Sequence, residues 1–272
     1  MLYRRSIPQP PLAEFIQCLW YSEGIPGNHS KERLLPNGEC AIIFNLIDSP
    51  LRIYDVQDLS RFRSYGFAVL SGARADCFAI DTDQQERVIG IQFRGGGLFP
   101  FLRMPVSEAE GQSVDLDGIW PGHAREIRER LLAECTPEAM LMVLEQCLLE
   151  QLVRAPELHP AVAFAVAQFQ QPTDTCRVRA VCEQIGMSSR RFIELFHRQV
   201  GLKPKVFSRV RRFQQVLQTV RQGQHVDWAQ VALGCGYYDQ AHFIHEFQAF
   251  SGLTPGEYIA AATPHLNHVV LT

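Results

Sequence analysis

Cys235-Gly236-Tyr237-Tyr238-Asp239-Gln240-Ala241-His242-Phe243-Ile244-His245-Glu246-Phe247-Gln248-Ala249-Phe250-Ser251-Gly252-Leu253-Thr254-Pro255-Gly256-Glu257-Tyr258 reads as the end of one helix, a turn, and a second helix that Gly252 and Pro255 stop. A fainter copy lies 51 residues upstream. Phe192, Ile193 and Phe196 match Phe243, Ile244 and Phe247, and Gly201, Leu202, Pro204 and Phe207 match Gly252, Leu253, Pro255 and Tyr258. One level back, Val181, Cys182, Ile185 and Gly186 match Val231, Ala232, Cys235 and Gly236. Such self-similarity predicts two helix-turn-helix units in tandem. Lys203-Pro204 opens a long helix running to Arg221, with Val206, Val210, Phe213, Val216, Leu217 and Val220 at inward spacing, and that helix joins the units.

Charge sorts the chain into two parts. The net charge is −3, but residues 1–156 hold 15 basic and 21 acidic residues, whereas 157–272 hold 11 and 8. Residues 177–221 alone carry 11 basic residues against Glu183 and Glu194. A block this basic is the footprint of a phosphate-binding surface; the plainer alternative is a solvated helix face.

The first part reads as strands. Phe15–Tyr21, Cys40–Leu46, Leu51–Val56, Phe67–Ser71, Cys77–Asp81 and Val88–Phe93 are short, β-branched and aromatic, and turn residues such as Pro36-Asn37-Gly38 separate them. Their roughly ten-residue spacing predicts a small antiparallel sandwich or barrel. Gly95-Gly96-Gly97 lacks phosphate-loop spacing and is read as a tight turn or a close backbone approach. Helices are expected at Leu98–Arg103, Pro121–Ala133 and Glu138–Val153; the apolar stripe of the last serves either as domain core or as core plus a dimer seam. The fold class is therefore α+β: an N-terminal domain over 1–155, a proline-bearing linker at 156–160, and an all-α domain over 161–263.

On the second helix of the first unit, burial of Phe192, Leu195, Phe196 and Val200 leaves Arg190, Ile193, Glu194 and His197 on the opposite face. The corresponding face of the second unit carries Gln240, Ala241, Ile244, His245 and Gln248. These residue types suit base edges in a major groove: Arg with guanine, Gln with adenine, Glu with cytosine N4, and Ile or Ala with thymine methyls. Ile193 and Ile244 are equally readable as core. Arg191, Arg198, Lys203, Lys205, Arg209, Arg211 and Arg212 suit phosphates, which position without specifying.

The motifs Gly236-Tyr237-x-Asp239-Gln240-x-x-Phe243-x-x-x-Phe247-x-x-x-x-Gly252-x-Thr254-Pro255-x-x-Tyr258 and Gly186-Met187-Ser188-x-Arg190-x-Phe192-x-x-x-Phe196-x-x-x-x-Gly201-x-x-Pro204 resemble the AraC/XylS family of bacterial transcription regulators over roughly 158–261. The resemblance implies two helix-turn-helix subdomains on a long helix, reading successive major-groove segments of double-stranded DNA, with RNA polymerase as a partner. The N-terminal part looks like a domain of unassigned function often fused to this module, through Pro36-Asn37-Gly38, Gly90-x-x-Phe93-Arg94-x-Gly96-Gly97 and Asp115-Leu116-Asp117-x-x-Trp120. Family members often carry basic residues where His245 and Gln248-Ala249 stand here, so the first unit is expected to supply most of the affinity.

Other classes find little footing. Residues 1–156 contain only His29 and His123, too few for a metal-binding cupin, and none of the N-terminal cysteines has an adjacent His to activate it. The eight cysteines form no C-x-x-C pair and are expected to be reduced. Neither a catalytic residue, a metal nor a cofactor is expected. The N-terminus runs into prolines and no 18-residue apolar run exists, so neither a signal peptide nor a membrane span is expected, and a cytoplasmic location follows. The first part is expected to sense an effector or to set a homodimer. Trp20, Phe44, Phe67, Phe78 and Phe93 are candidates to line a small apolar ligand site; the alternative is that they fill the core.

Overall fold

The computed structural model describes residues 2–24, 30–82, 86–152, 157–170, 178–222, 227–263 and 265–271. Ten strands occupy the first part: β1 (Leu2–Ser6), β2 (Ile16–Glu23), β3 (Lys31–Leu34), β4 (Ala41–Asn45), β5 (Leu51–Tyr54), β6 (Phe62–Tyr65), β7 (Ala68–Ser71), β8 (Phe78–Asp81), β9 (Arg87–Phe93) and β10 (Ser113–Asp115). Two helices follow, α1 (His123–Leu132) and α2 (Pro137–Leu152). The second part is α3 (Pro160–Gln170), α4 (Val178–Ile185), α5 (Ser189–Val200), α6 (Pro204–Gln222), α7 (Trp228–Gly234), α8 (Gln240–Ser251) and α9 (Pro255–Ala261). A last strand, β11 (His268–Val270), returns to the first part.

The strands form two open antiparallel sheets, ordered β1-β2-β9-β4-β7-β10 and β11-β3-β8-β5-β6. The expected sandwich is thus present, and its second sheet is completed by the chain's far end. In the larger sheet the two-residue period of a strand separates two faces. Leu19 and Tyr21 of β2, Ile42 and Phe44 of β4, Ala68 and Leu70 of β7, and Ile89, Ile91 and Phe93 of β9 join a core with Ile127, Leu131, Leu144 and Leu148 of α1 and α2. The alternate residues, Cys18, Trp20, Ile43, Val69, Val88 and Gln92, turn toward the smaller sheet and line a cavity between them. Gly90 lies opposite Trp20 in the β2–β9 register, and a Cβ there would sit 2.3 Å from the indole. The ring, not a turn, is why this position is glycine.

The α2 stripe, Met140, Leu141, Leu144, Cys147 and Leu148, is buried as domain core. The expected helix at Leu98–Arg103 is a single 3-10 turn, Phe99–Phe101. The expected linker falls partly on Pro156, outside the described residues, and Cys176 and His29 also lie outside them.

Packing does not respect the boundary that the sequence suggests. The core of the first part continues through Val162, Phe169, Val181, Phe192 and Phe196 to Phe207. The second unit has its own core around Phe213, Phe243, Phe247 and Tyr258, to which Leu35 and Val269 are joined. The glycine triplet explains the close approach: a Cβ on Gly95 would lie 2.9 Å from Phe207, and one on Gly97 would lie 1.9 Å from the Phe15 carbonyl oxygen.

Candidate nucleic-acid interface

The repeat in sequence is a repeat in geometry. Ser188 caps α5 by accepting from the Arg191 amide, and Asp239 caps α8 by accepting from the His242 amide at 2.7 Å. Within each unit the aromatic rings pack alike, steeply tilted or edge to face. Phe192–Phe196 and Phe243–Phe247 centroids are 5.6 and 5.8 Å apart, and Phe196–Phe207 and Phe247–Tyr258 repeat the same two distances. Gly201 and Gly252 both end their helices in the left-handed region, at φ 95° and 68°. Thr254 and Glu257 close a capping box on α9. The joining helix α6 has 19 residues, about 28 Å of helix, which is of the order of the ~34 Å turn that separates successive major-groove segments.

On α5, Arg190, Arg191, Ile193, Glu194 and Arg198 are exposed, and Leu195 is half-buried beneath them. Arg190 Nε donates to Glu194 Oε1 at 3.2 Å, an exposed i,i+4 pair. Such a pair is worth little and yields readily to another partner. On α8, Gln240, Ala241, His245 and Gln248 are exposed, while Ile244 is half-buried against the second core. Lys203 and Lys205 stand exposed at the start of α6. The structure therefore gathers most of the expected base-facing residues on the outer faces of two matched helices, with Arg191, Arg198, Lys203 and Lys205 around the first.

Four of the expected DNA-facing residues are placed otherwise. His197 turns from the outer face of α5 toward the first part, with Nε2 2.7 Å from Glu110 Oε2. Arg209 Nε donates to Glu246 Oε1 at 2.6 Å, binding α6 to α8 around a carboxylate that is 5% exposed. Arg211 Nη1 donates to Glu39 Oε1 at 3.2 Å, across to the first part. Arg212 lies over the Tyr237 ring, 5.1 Å from its centroid. Much of the positive charge read from the sequence thus holds the molecule together. The reason is geometric: α6 runs through the centre, so cations near its middle meet protein on several sides.

The same region carries the strongest electrostatic perturbations. Burial pushes the Glu39 carboxyl up to about 7, with Arg211 and Arg94 pulling it part of the way back. Burial raises the Tyr237 hydroxyl as well, reinforced by Glu246. The Cys40 thiol is pushed up to about 12, and burial also raises Cys18, Cys77, Cys147 and Cys235, which keeps these thiols protonated. Among the described residues no cluster of His, Cys, Asp or Glu could hold a metal ion, and no helix is long and apolar enough to cross a membrane.

The cavity between the sheets, about 470 Å³, receives only part of the expected aromatic set. Trp20 and Phe78 line it. Phe44 and Phe93 are fully buried on the opposite face of their sheet, because Ile43 and Gln92 take the cavity side. Phe67 packs against the helical core with Arg128 over its ring at 5.4 Å. Glu39, Arg74 and the tail residues His265, Leu266, Asn267 and His268 also line the cavity. No local motif marks these residues, since each reaches the cavity through long-range pairing.

Two stretches of the chain match known families. Residues 4–115 match a domain of unknown function, DUF6597, and residues 181–261 match a helix-turn-helix domain. An HTH-type transcriptional regulator from Haemophilus influenzae is 31% identical over 93 residues, 34% of this chain; the match spans 31% of that relative's length. Among solved structures, an apo form of ToxT from Vibrio cholerae superposes with a TM-score of 0.49 at 12% identity, covering 90% of this chain and 98% of that one. A regulator from Chromobacterium violaceum with an AraC-type DNA-binding domain gives 0.36 at 23% identity, covering 39% and 96%. Residues 181–261 thus match a helix-turn-helix domain, and residues 4–115 match a domain of unknown function.

Proposed function

We propose that this protein is a cytoplasmic, sequence-specific transcription regulator whose first part senses a small molecule. The observation that carries the DNA-binding half is the pair of matched helices, α5 and α8, presenting polar outer faces from the two ends of α6. Arg190, Ile193 and Glu194 on α5, with Gln240, Ala241, Ile244 and His245 on α8, are the proposed base readers. Arg191, Arg198, Lys203 and Lys205 are the proposed phosphate contacts. RNA polymerase is the proposed protein partner, and binding as a homodimer would appear as two half-sites.

The sensing half is supported by the position of the cavity. Its wall includes Glu39, the partner of Arg211 on α6, and the tail that continues from α9. A ligand there would touch groups tied to the DNA-binding elements, which is what coupling requires. Selection of a randomised DNA library with the full chain tests the reading: one enriched sequence of two successive major-groove segments is expected. Retention with no sequence preference would reject it. The rival in which the first part is only a structural or protein-docking module draws support from the continuous core, and predicts that no small molecule alters operator affinity.

A further inference from the structure

Arg74 is 6% exposed and lines the cavity. Among the described residues its Nε has no hydrogen-bond partner, and its Nη2 reaches only Ser113 Oγ, at the long distance of 3.5 Å. One face of the guanidinium lies on the Phe78 ring, 4.1 Å from the centroid. Burial pulls its pKa below the ordinary arginine range, and Asp76, which opposes this, is exposed and not at ion-pair distance. A buried guanidinium without an anion is costly, so such groups are normally paired.

The remaining charges of the wall point the same way. The carboxylates in the wall are already engaged: Glu32 with His268 at 2.7 Å, and Glu39 with Arg211 at 3.2 Å. Arg5 and Arg52 share the wall with Arg74, and the Nε of Arg52 is likewise buried without a partner among the described residues. The wall also holds apolar Trp20, Ile43, Val69 and Ile80, with polar side chains such as Gln17, Asn37 and Gln92. A volume of about 470 Å³ falls in the range of small-molecule sites.

We propose that the cavity is a site for an organic carboxylate with an apolar body, its carboxylate held by Arg74 and its body lying against Trp20 and Phe78. The fork of a guanidinium matches a carboxylate with two parallel hydrogen bonds, and Ser113 and Phe78 already fix the plane of this one. The inference deepens the sensing reading above and rests on it for any effect on DNA, but not for binding itself.

The test is isothermal titration of the full chain with octanoate, cinnamate and phenylacetate, each against its primary amide. At least one acid is expected to bind, with its amide at least about tenfold weaker, since losing a charge-assisted pair costs over ~1.4 kcal/mol. Arg74→Met is expected to abolish the preference for acid over amide and to raise the melting temperature of the ligand-free protein, because it removes an unpaired buried charge. Arg125→Ala, exposed on α1, is expected to change neither. Should Arg74→Met fail to fold, Arg74→Lys keeps the charge without the fork and is expected to weaken acid binding severalfold. Equal affinity for acid and amide, unchanged acid affinity in the Arg74 variants, or no binding of any acid at millimolar concentration each overturns the proposal. An acid that binds through Arg74 but leaves operator affinity unchanged upholds the site and rejects the sensing reading alone.

Discussion

Arg211 and Glu39, 172 residues apart, meet with Nη1 3.2 Å from Oε1, and both side chains are largely buried, at 21% and 5% exposure. The pair ties the middle of α6 to the turn that precedes β4. Gln214, one turn along the helix, donates from Nε2 to the Pro36 carbonyl at 2.8 Å and to Asn267 Oδ1 at 2.8 Å. One face of α6 therefore holds both the first part and the tail.

Glu39 gives this junction a pH dependence. Its carboxyl titrates near 4.5 when unfolded and near 7 when folded. Between those values the folded chain binds the extra proton, so this group's contribution is fully present below about 4.5 and is lost as pH rises through about 7. Arg211 and Arg94, which face it, limit the loss. The change is on the order of 3 kcal/mol. Urea denaturation of Glu39→Gln and the unaltered protein from pH 5 to 8.5 should show the variant gaining relative stability as pH rises. Parallel curves would refute the assignment.

Arg209 and Lys205 lie four residues apart on α6 yet should behave differently. Arg209→Ala leaves buried Glu246 with only His242, at 3.8 Å, as a neighbouring partner and should cost about 2 kcal/mol or more, short of the ~3–5 kcal/mol of a fully buried pair because Arg209 is partly exposed. The slope of DNA affinity against salt should stay nearly unchanged among molecules that remain folded. Lys205→Ala should cost under ~0.5 kcal/mol of stability and should reduce the salt slope by about one. The exchange of these two phenotypes in denaturation and in salt-titrated binding would contradict the placement of the two cations.

How far the sequence could be read depends on the range of the forces involved. The helix-turn-helix units were legible because Phe192, Phe196 and Gly201 recur as Phe243, Phe247 and Gly252, and each acts within its own unit. The inner strands were legible from their β-branched residues. Edge strands β1, Leu2-Tyr3-Arg4-Arg5-Ser6, and β6, Phe62-Arg63-Ser64-Tyr65, were not, since an edge can be charged and exposed. Strand β3, Lys31-Glu32-Arg33-Leu34, was hidden for another reason. Its Glu32 is buried because His268 of β11 comes from the far end of the chain to meet it. Of the five aromatic candidates only Trp20 and Phe78 reach the cavity, because period two assigns neighbours to opposite faces and composition does not say which face holds the cavity.

The helix-ending glycines offer a graded test. Gly186 and Gly201 both have positive φ, 64° and 95°. Around Gly186 nothing lies within 4 Å of an added Cβ, so Gly186→Ala meets only backbone strain, about 1 kcal/mol. At Gly201 the Cβ would lie 3.0 Å from Val106 Cγ1 and 3.2 Å from Ala73 Cβ, where α5 ends against the first part. Gly201→Ala should therefore cost more, by about 1–3 kcal/mol. Equal losses in thermal denaturation would mean that the end of α5 does not pack against Val106.

Arg190 and Gln240 occupy the outer faces of α5 and α8, and the structure sharpens what each should do. Of the cations proposed for phosphates, those that remain exposed, Arg191, Arg198, Lys203 and Lys205, lie in or next to α5, whereas α8 carries the uncharged Gln248 and Ala249. The first unit should therefore bind more strongly. Arg190→Ala frees Glu194 from its pair and removes a guanine reader, so it should cost about 2 kcal/mol or more at the selected site, near the upper part of the ~1–3 kcal/mol of a bidentate contact. Gln240→Ala should cost less, about 1 kcal/mol, and should relax preference at its own base pair only. Quantitative binding of both variants to the selected site and to single-base variants of it decides the ordering. A Gln240→Ala loss equal to or larger than that of Arg190→Ala would place the main grip in the second unit and reverse the assignment.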